Sequence, residues 1–295
     1  MGKMIVSLIG EQPIPNLLPL RYQPPDEALL VHTDRTEGVA QRLRRLLEPE
    51  VKVHLLCTDP YDVHQIRGDL QGFLAREMKE GMELEFNLTG GTKTMVLAAY
   101  ELAREHNAPF FYLQSEGRRS VLYRYRFEAG KPQYEHKETL PGVITIGDYL
   151  KAHVGDYNVT RPRHNFEEEI GKALAGVVDE VMVGATLAGA LEVDLVVRKE
   201  NQVGVIQAKT GSRARSKVGL DQLNAACEQR YLGTYTHKIL AINQHWDESL
   251  TNLRELANAW RITVVELPSF TEDHPFLSPE DKERLRSEVI KVLAG

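Results

Sequence analysis

The feature that most narrows what this chain can fold into is an alternation: from Lys3 to about Leu113, short apolar runs take turns with stretches of helical period. Met4–Ile9, Ala28–His32, Val51–Cys57, Glu83–Leu88 and Pro109–Leu113 read as strands. Between them, Glu37–Leu47 sets Val39, Leu43, Leu46 and Leu47 along one helical face, and Met95–Ala103 does the same with Met95, Ala98, Ala99 and Leu102. Such alternation predicts a parallel, doubly wound α/β sheet covered by helices. Val121–Phe127, the turn Gly130-Lys131-Pro132 and Gln133–Lys137 predict a hairpin that closes this domain near residue 140.

At 295 residues the chain has room for about two domains. Residues 141–163, with Pro141-Gly142, a short apolar run, a small helix around Asp148–His153 and Arg161-Pro162-Arg163, read as the connection. Residues 164–295 form a second α/β unit. Its expected elements are a helix (Asn165–Gly176), a strand pair (Leu191–Val197 and Val203–Lys209), a helix (Leu220–Arg230), a strand (Lys238–Asn243), a further helix and a strand (Ile262–Leu267). A last helix opens with Ser278 as cap and Pro279 at its first position.

Composition excludes several classes. No apolar run approaches a bilayer span, and the N-terminus has one positive charge and too short an apolar stretch for a signal peptide, so a cytoplasmic protein with no membrane partner is expected. Cys57 and Cys227 stand alone, without zinc or disulfide spacing, and are expected as small buried apolar residues. His32 and His64 show no zinc spacing either, and His164, next to Glu167, is expected to be structural. Net charge is −6, with 18 basic and 21 acidic residues in each of 1–150 and 151–295, so contact with phosphates must come from local clusters.

The first such cluster is Asn87-Leu88-Thr89-Gly90-Gly91-Thr92-Lys93-Thr94, which leaves one strand and enters the next helix. Two glycines allow close backbone approach, the threonine hydroxyls can donate, and Lys93 adds charge at a helix N-terminus that already favours anions. The spacing is not that of a Walker P-loop. A tight, well-capped strand-to-helix connection would look similar. However, Ser7–Asn16 with Gly10 and Gln12, and Thr33–Thr36 with Asp34, are polar turns at corresponding strand ends, where open α/β sheets bind ligands.

Together, Ser7–Asn16, Thr33–Thr36 and Asn87–Thr94 resemble the CARF domain, the CRISPR-associated Rossmann-like sensor, in the variety that precedes a restriction-type nuclease. The resemblance implies a cyclic oligoadenylate ligand, most often the tetra-adenylate, bound across a homodimer in type III CRISPR antiviral defence. The ligand-binding residues expected are Gly10, Gln12, Thr33, Asp34, Thr89, Gly90, Gly91, Thr92 and Lys93. A two-fold dimer presents one strand edge twice, which suits a ring of even symmetry.

In the second half, alternation sets Glu192, Asp194 and Val196 on one face of their strand, away from the packed face of Val193, Leu195 and Val197. Gln207 and Lys209 share a face of the partner strand. A turn at 198–202 brings a carboxylate, an amide carbonyl and an ammonium into one patch, parts that metal-assisted phosphodiester hydrolysis uses. The spacing Asp194…Gln207-Ala208-Lys209 resembles the PD-(D/E)xK nucleases. That resemblance implies a Mn²⁺ or Mg²⁺ ion held by Glu167, Asp194 and Gln207, with Lys209 as the fourth catalytic residue. Glu168 is the alternative helix acid. Gln207 departs from the pattern, since most members have an acid there, which implies either a lower metal affinity or compensation by Glu167 and Glu192.

The basic run 210–217, with Arg213, Arg215 and Lys217, is either a solvated loop or a grip on substrate phosphates beside the metal. The expectation is a DNA or RNA nuclease switched by its ligand. The alternatives are a non-catalytic sensor with a decayed C-terminal site, and a ring nuclease that degrades the ligand through the Thr89–Lys93 loop without metal.

Overall fold

The computed structural model describes residues 2–48, 50–189 and 191–294. Met1 and Gly295, the outer bounds of the two expected domains, lie outside them. The chain divides into two compact units, Met1–Val143 and Ile144–Gly295. Among the described residues no helix is long and apolar enough to cross a membrane.

The first unit runs β1 (Lys3–Leu8), α1 (Ile14–Tyr22), β2 (Glu27–His32), α2 (Glu37–Leu47), β3 (Lys52–Cys57), α3 (Val63–Glu77), β4 (Glu83–Asn87), α4 (Lys93–Glu105), β5 (Phe110–Glu116), β6 (Arg119–Glu128) and β7 (Lys131–Thr139). Its described strands form one sheet in the order β3-β2-β1-β4-β5-β6-β7. The first five are parallel, and β5, β6 and β7 then turn back on each other as an antiparallel meander. Met4, Val6, Leu8, Leu29, Val31, Leu84 and Phe86 bury one face against Ile66, Leu70 and Phe73 of α3 and Met95, Ala98 and Leu102 of α4. The alternate residues Ile5, Ala28 and Leu30 are equally buried and point to the other face. There α2 packs on β2 and β3, and α1 on α2.

Two helices were not foreseen. In α1 the residues Pro15 and Pro19 mask the helical period. In α3 the signal was present: Asp62 caps the helix through His64 N (2.9 Å) and Gln65 N (3.1 Å), and Ile66, Leu70, Phe73 and Leu74 line its buried face.

The second unit begins with α5 (Ile146–Val154) and β8 (Tyr157–Val159), within the stretch expected to be a connection. It continues through α6 (Asn165–Leu174), β9 (Glu180–Leu187), β10 (Leu191–Lys199), β11 (Gln202–Lys209), α7 (Gly211–Ala214), α8 (Val218–Ala226), β12 (His237–Ile242), α9 (Thr251–Ala259), β13 (Ile262–Glu266) and α10 (Pro279–Ala294). Its described strands order as β13-β12-β11-β10-β9-β8. The expected strand pair is thus the centre of a sheet, with β12 and β13 parallel to β11 on one side and β9 antiparallel to β10 on the other.

Phe166, Ile170 and Leu174 of α6 and Leu285, Val289 and Leu293 of α10 bury one face of this sheet on Leu195, Val197, Ile206, Ala208, Ile239 and Ala241. The face expected to be open is covered as well: α8 lies on β10, β11 and β12, and Val196 is buried. Tyr149 of α5 is buried with its hydroxyl 2.7 Å from Thr236 Oγ1 and donating to Leu232 O (3.2 Å). Ser278 Oγ accepts from Asp281 N (3.2 Å) at the start of α10, as its sequence signal predicts.

Glu27, 4% exposed, anchors the N-terminal ends of the first sheet. Its carboxylate accepts from Lys79 Nζ (2.7 Å) and Lys52 Nζ (3.1 Å), and His54 Nε2 lies 2.7 Å away. Burial pushes this carboxyl up, but the three hydrogen bonds outweigh it and hold it at about 2, against an ordinary 4.5. A lowered folded-state pKa stabilises above the unfolded value and fades as pH falls through the folded one. Glu27→Gln should therefore cost about 1–3 kcal/mol at pH 7, allowing for the exposed lysines. In urea melts, the gap to wild type should close as pH falls from 4.5 towards about 2; a gap that stays constant would remove the assignment.

Candidate functional site

At the C-terminal edge of the first sheet, a cavity of about 590 Å³ lies over the ends of β1, β2 and β3. Of the residues expected to bind ligand, Gly10, Thr33, Asp34, Gly91 and Thr92 line it, while Gln12, Thr89, Gly90 and Lys93 do not. The end of β3 contributes Cys57, Thr58, Asp59, Pro60 and Tyr61, which the sequence reading passed over. The signal was available, because in a parallel sheet every strand's C-terminal turn reaches the same edge. Cys57 corrects an expectation: it is exposed, and its thiol donates to Asp34 Oδ1 at 3.3 Å, whereas Cys227 is buried as expected. Burial and then Asp34 raise the Cys57 thiol above its ordinary value.

The loop 87–94 is held mostly by its own donors. Asn87 Oδ1 accepts from Thr89 N (3.1 Å) and Thr89 Oγ1 (2.6 Å), and Asn87 Nδ2 donates to Asn16 Oδ1 (3.1 Å). Thr92 and Thr94 hydroxyls both donate to Pro60 O, at 2.7 and 2.6 Å. Thr92 also caps α4 by accepting from Met95 N (3.2 Å). The hydroxyls read as ligand donors are therefore engaged within the fold. What remains is Lys93, exposed at the first position of α4, beside the free amides of a helix start.

The glycines, too, have an internal reason. A Cβ on Gly90 would stand 2.2 Å from Leu8 O, so this loop and the end of β1 approach as closely as backbones can. Carboxylates surround the cavity: Glu11, Asp34 and Asp59 line it, and Arg35 is ion-paired to Glu11.

The second cluster forms where β10 and β11 part. Their ladder runs from Lys199–Gln202 to Leu195–Ile206 and stops. Beyond it, side chains replace backbone partners: Ala208 N donates to Asp194 Oδ2 (2.8 Å), and Gln207 Nε2 donates to Glu192 O (3.0 Å). Lys209 Nζ lies in the opening, 3.0 Å from Asp194 Oδ2 and 2.7 Å from Gln207 Oε1. Gly219 of α8 lets that helix settle on β11, since its missing Cβ would meet Leu240 Cδ1 at 2.6 Å and Lys209 Cγ at 3.2 Å. The lysine is 9% exposed and Gln207 1%.

Glu167, on the first turn of α6, is 4% exposed and accepts from Arg163 N at 2.9 Å. Burial pushes its carboxyl above the ordinary value and the Asp194 charge adds to the rise; the Arg163 amide and the Lys209 charge oppose it. Asp194, Gln207 and Lys209 are thus brought together, with Glu167 in electrostatic reach of Asp194 and Lys209. Glu168 pairs with Lys172, and Glu192 turns outward to Arg163.

Two carboxylates and an amide oxygen are hard donors suited to Mg²⁺ or Mn²⁺. Among the described residues no three His, Cys, Asp or Glu side chains gather to hold a metal; the expected set has two carboxylates and an amide as its third donor. The donor set fits a divalent ion held with modest charge.

The basic run is in part the short helix α7, with Trp246 Nε1 donating to Ala214 O (2.7 Å). Arg215 reaches Asp247 Oδ2 (3.1 Å) and Lys217 reaches Asp221 Oδ2 (3.6 Å), whereas Arg213 is exposed with no ion pair among the described residues.

Residues 4–149 match the family described as the Card1 CARF domain, so the N-terminal half of the chain carries a CARF domain. No curated protein matches the sequence. The fold of the whole chain is similar to Can2 from Sulfobacillus thermosulfidooxidans, solved in complex with cyclic tetra-adenylate, with a TM-score of 0.73, 16% identity, and coverage of 99% of this chain and 100% of that one. It is equally similar to protein VC1899 from Vibrio cholerae, at TM-score 0.73, 13% identity, 98% of this chain and 97% of that one. A type III CRISPR defence DNA nuclease activated by cyclic oligoadenylate matches at TM-score 0.62 and 17% identity, over 97% of this chain and 52% of its own length. At such identities the likeness is one of fold.

The close approach at Gly90 is open to a direct check. Gly90→Ala should lower stability by about 2–4 kcal/mol through overpacking against Leu8. Gly68→Ala, on the exposed side of α3 with nothing within 4 Å of the new methyl, should raise it by about 0.5–1 kcal/mol. Urea denaturation of the two variants in parallel tests both; a neutral Gly90→Ala would show that the loop is not bound to β1.

Proposed function

We propose that this chain is a nuclease switched on by a cyclic oligoadenylate, such as the tetra-adenylate, in type III CRISPR antiviral defence. The observation that carries the reading is the meeting of Asp194, Gln207 and Lys209 where β10 and β11 part, with Glu167 in electrostatic reach. Its support is the CARF match in the first unit and the likeness in fold to Can2 and to the DNA nuclease. The chain acts as a cytoplasmic homodimer, the two copies sharing one ring across their sheet edges. Lys93 and the α4 amides take phosphates. Asp34 and Asp59 accept from amines and hydroxyls of the nucleosides.

The second unit is a domain of PD-(D/E)xK type, and Glu167, Asp194 and Gln207 hold a Mg²⁺ or Mn²⁺ ion. When bound, the ion supplies an acidified water and polarises the phosphoryl oxygen. Lys209 steadies the charge that builds on the scissile phosphate. The Glu192 carbonyl fixes the Gln207 amide so that its oxygen faces the site. The cover of α8 keeps bulk water from the lysine stem. Arg213, the run's unpaired cation, grips a substrate phosphate.

Cleavage of labelled single-stranded DNA and RNA and of supercoiled plasmid, with Mn²⁺ or Mg²⁺ and with or without cyclic tetra-adenylate, tests this. Activity should need both metal and ligand and fall at least about 100-fold in Asp194→Ala and in Lys209→Ala. A ligand that is bound while no substrate is cut would point to a non-catalytic sensor; loss of the ligand alone, without metal, would point to a ring nuclease. In binding assays at several salt concentrations, Arg213→Ala should weaken substrate binding and lower the salt slope by about 1, more than Arg215→Ala does. An unchanged slope would leave the run as a solvated helix.

A further inference from the structure

Two of the oxygens in the gap between β10 and β11, one from each strand, are already held by a cation of the chain's own. Lys209 Nζ donates to Asp194 Oδ2 (3.0 Å) and to Gln207 Oε1 (2.7 Å) at once. The Gln207 amide is fixed in orientation, because its nitrogen donates to Glu192 O at 3.0 Å. Asp194 Oδ2 is further engaged by Ala208 N at 2.8 Å. The lysine stem lies under Gly219 of α8, so the ammonium is held in place and not swinging from the surface. Asp194 is bound to this one positive charge, and Glu167, 4% exposed, lies within electrostatic reach of both.

We propose that the Lys209 ammonium is the resident cation of this site, so that a divalent ion binds by displacing it from Asp194 Oδ2 and Gln207 Oε1. The inference rests on the metal-dependent reading above. An ammonium seated 3.0 and 2.7 Å from those two oxygens lies where a divalent ion bound to both would sit, and two cations a few ångströms apart in a poorly solvated place repel strongly. In this arrangement the lysine keeps the acceptors assembled and neutralised while no ion is bound. The displaced ammonium is then free to meet the charge of an incoming phosphate. Lys209 is therefore a positioning residue for the ion as well as a group for the reaction. The site binds metal more weakly than its oxygens alone would.

The test counts bound Mn²⁺ on the full-length protein from the loss of the free-ion signal in electron paramagnetic resonance, with no substrate present. Lys209→Met should bind one Mn²⁺ at least about tenfold more tightly than wild type. Lys209→Gln, neutral but able to hydrogen-bond to Asp194, should do the same and covers the case in which the methionine variant does not fold, as judged by circular dichroism. Lys209→Arg, which keeps the charge, should not tighten binding. The gained affinity should vanish in Asp194→Asn/Lys209→Met, which locates the ion. Equal or weaker binding in both neutral variants overturns the inference while leaving the metal reading intact. No Mn²⁺ bound in any of the proteins removes the metal reading and the inference with it.

Discussion

The point on which the second unit depends is the single carboxylate of Asp194, where two antiparallel strands cease to bond each other. A sheet that opens leaves amides without partners, and a buried amide without a partner is costly. Asp194 closes that gap by accepting from Ala208 N, and the same oxygen then draws in Lys209. The opening is thus both a break in the ladder and the means of gathering charge. Gln207 shows the same economy from the other strand, its nitrogen tied to the Glu192 carbonyl and its oxygen to the lysine. An acid at position 207 could not donate to that carbonyl, which gives the departure from the usual pattern a local structural reason.

The first unit solves a different problem at its upper edge. Its loop 87–94 must pass against the end of β1, and Gly90 allows this because no side chain can fit beside Leu8 O. The threonine hydroxyls that look available in the sequence are the fasteners of that passage, bound to Asn87 and Pro60. The cavity beside the loop is walled by carboxylates. In the proposed reading Lys93 and the start of α4 would take an anion, whereas Glu11, Asp34 and Asp59 of the cavity offer acceptors to groups that donate.

Much of this was legible in the residues. The parallel strands followed from apolar runs between amphipathic helices, and α2 has the bounds that its spacing of Val39, Leu43, Leu46 and Leu47 indicates. The meeting of Asp194 with Gln207 and Lys209 follows from period-two alternation across one turn. Other features were hidden for physical reasons. The prolines of α1 break its period, and β8 is only three residues long. The alternation of Val181, Val183, Ala185 and Leu187 in β9 was readable but overlooked. Hydrogen-bond demand is not visible in a sequence at all. Nothing in the letters Thr92 and Thr94 says that Pro60 O, far away in the chain, will take both protons. Cys57 misled for a related reason, since an apolar run gives no notice that its last residue emerges at the sheet edge.

The boundary of likeness and the boundary of folding do not coincide in this chain. The CARF match runs to residue 149, yet the first compact unit ends at Val143. The difference falls inside α5, whose Tyr149 is buried in the second unit with its hydroxyl on Thr236 and Leu232. Residues 146–149 thus belong to the matched stretch and, by packing, to the second unit. A cut at the end of the match would divide α5, and the second unit would lose an aromatic plug from its core. Where a likeness in sequence stops is therefore not where this chain can be divided, for the helix that straddles that point is a piece of a single core.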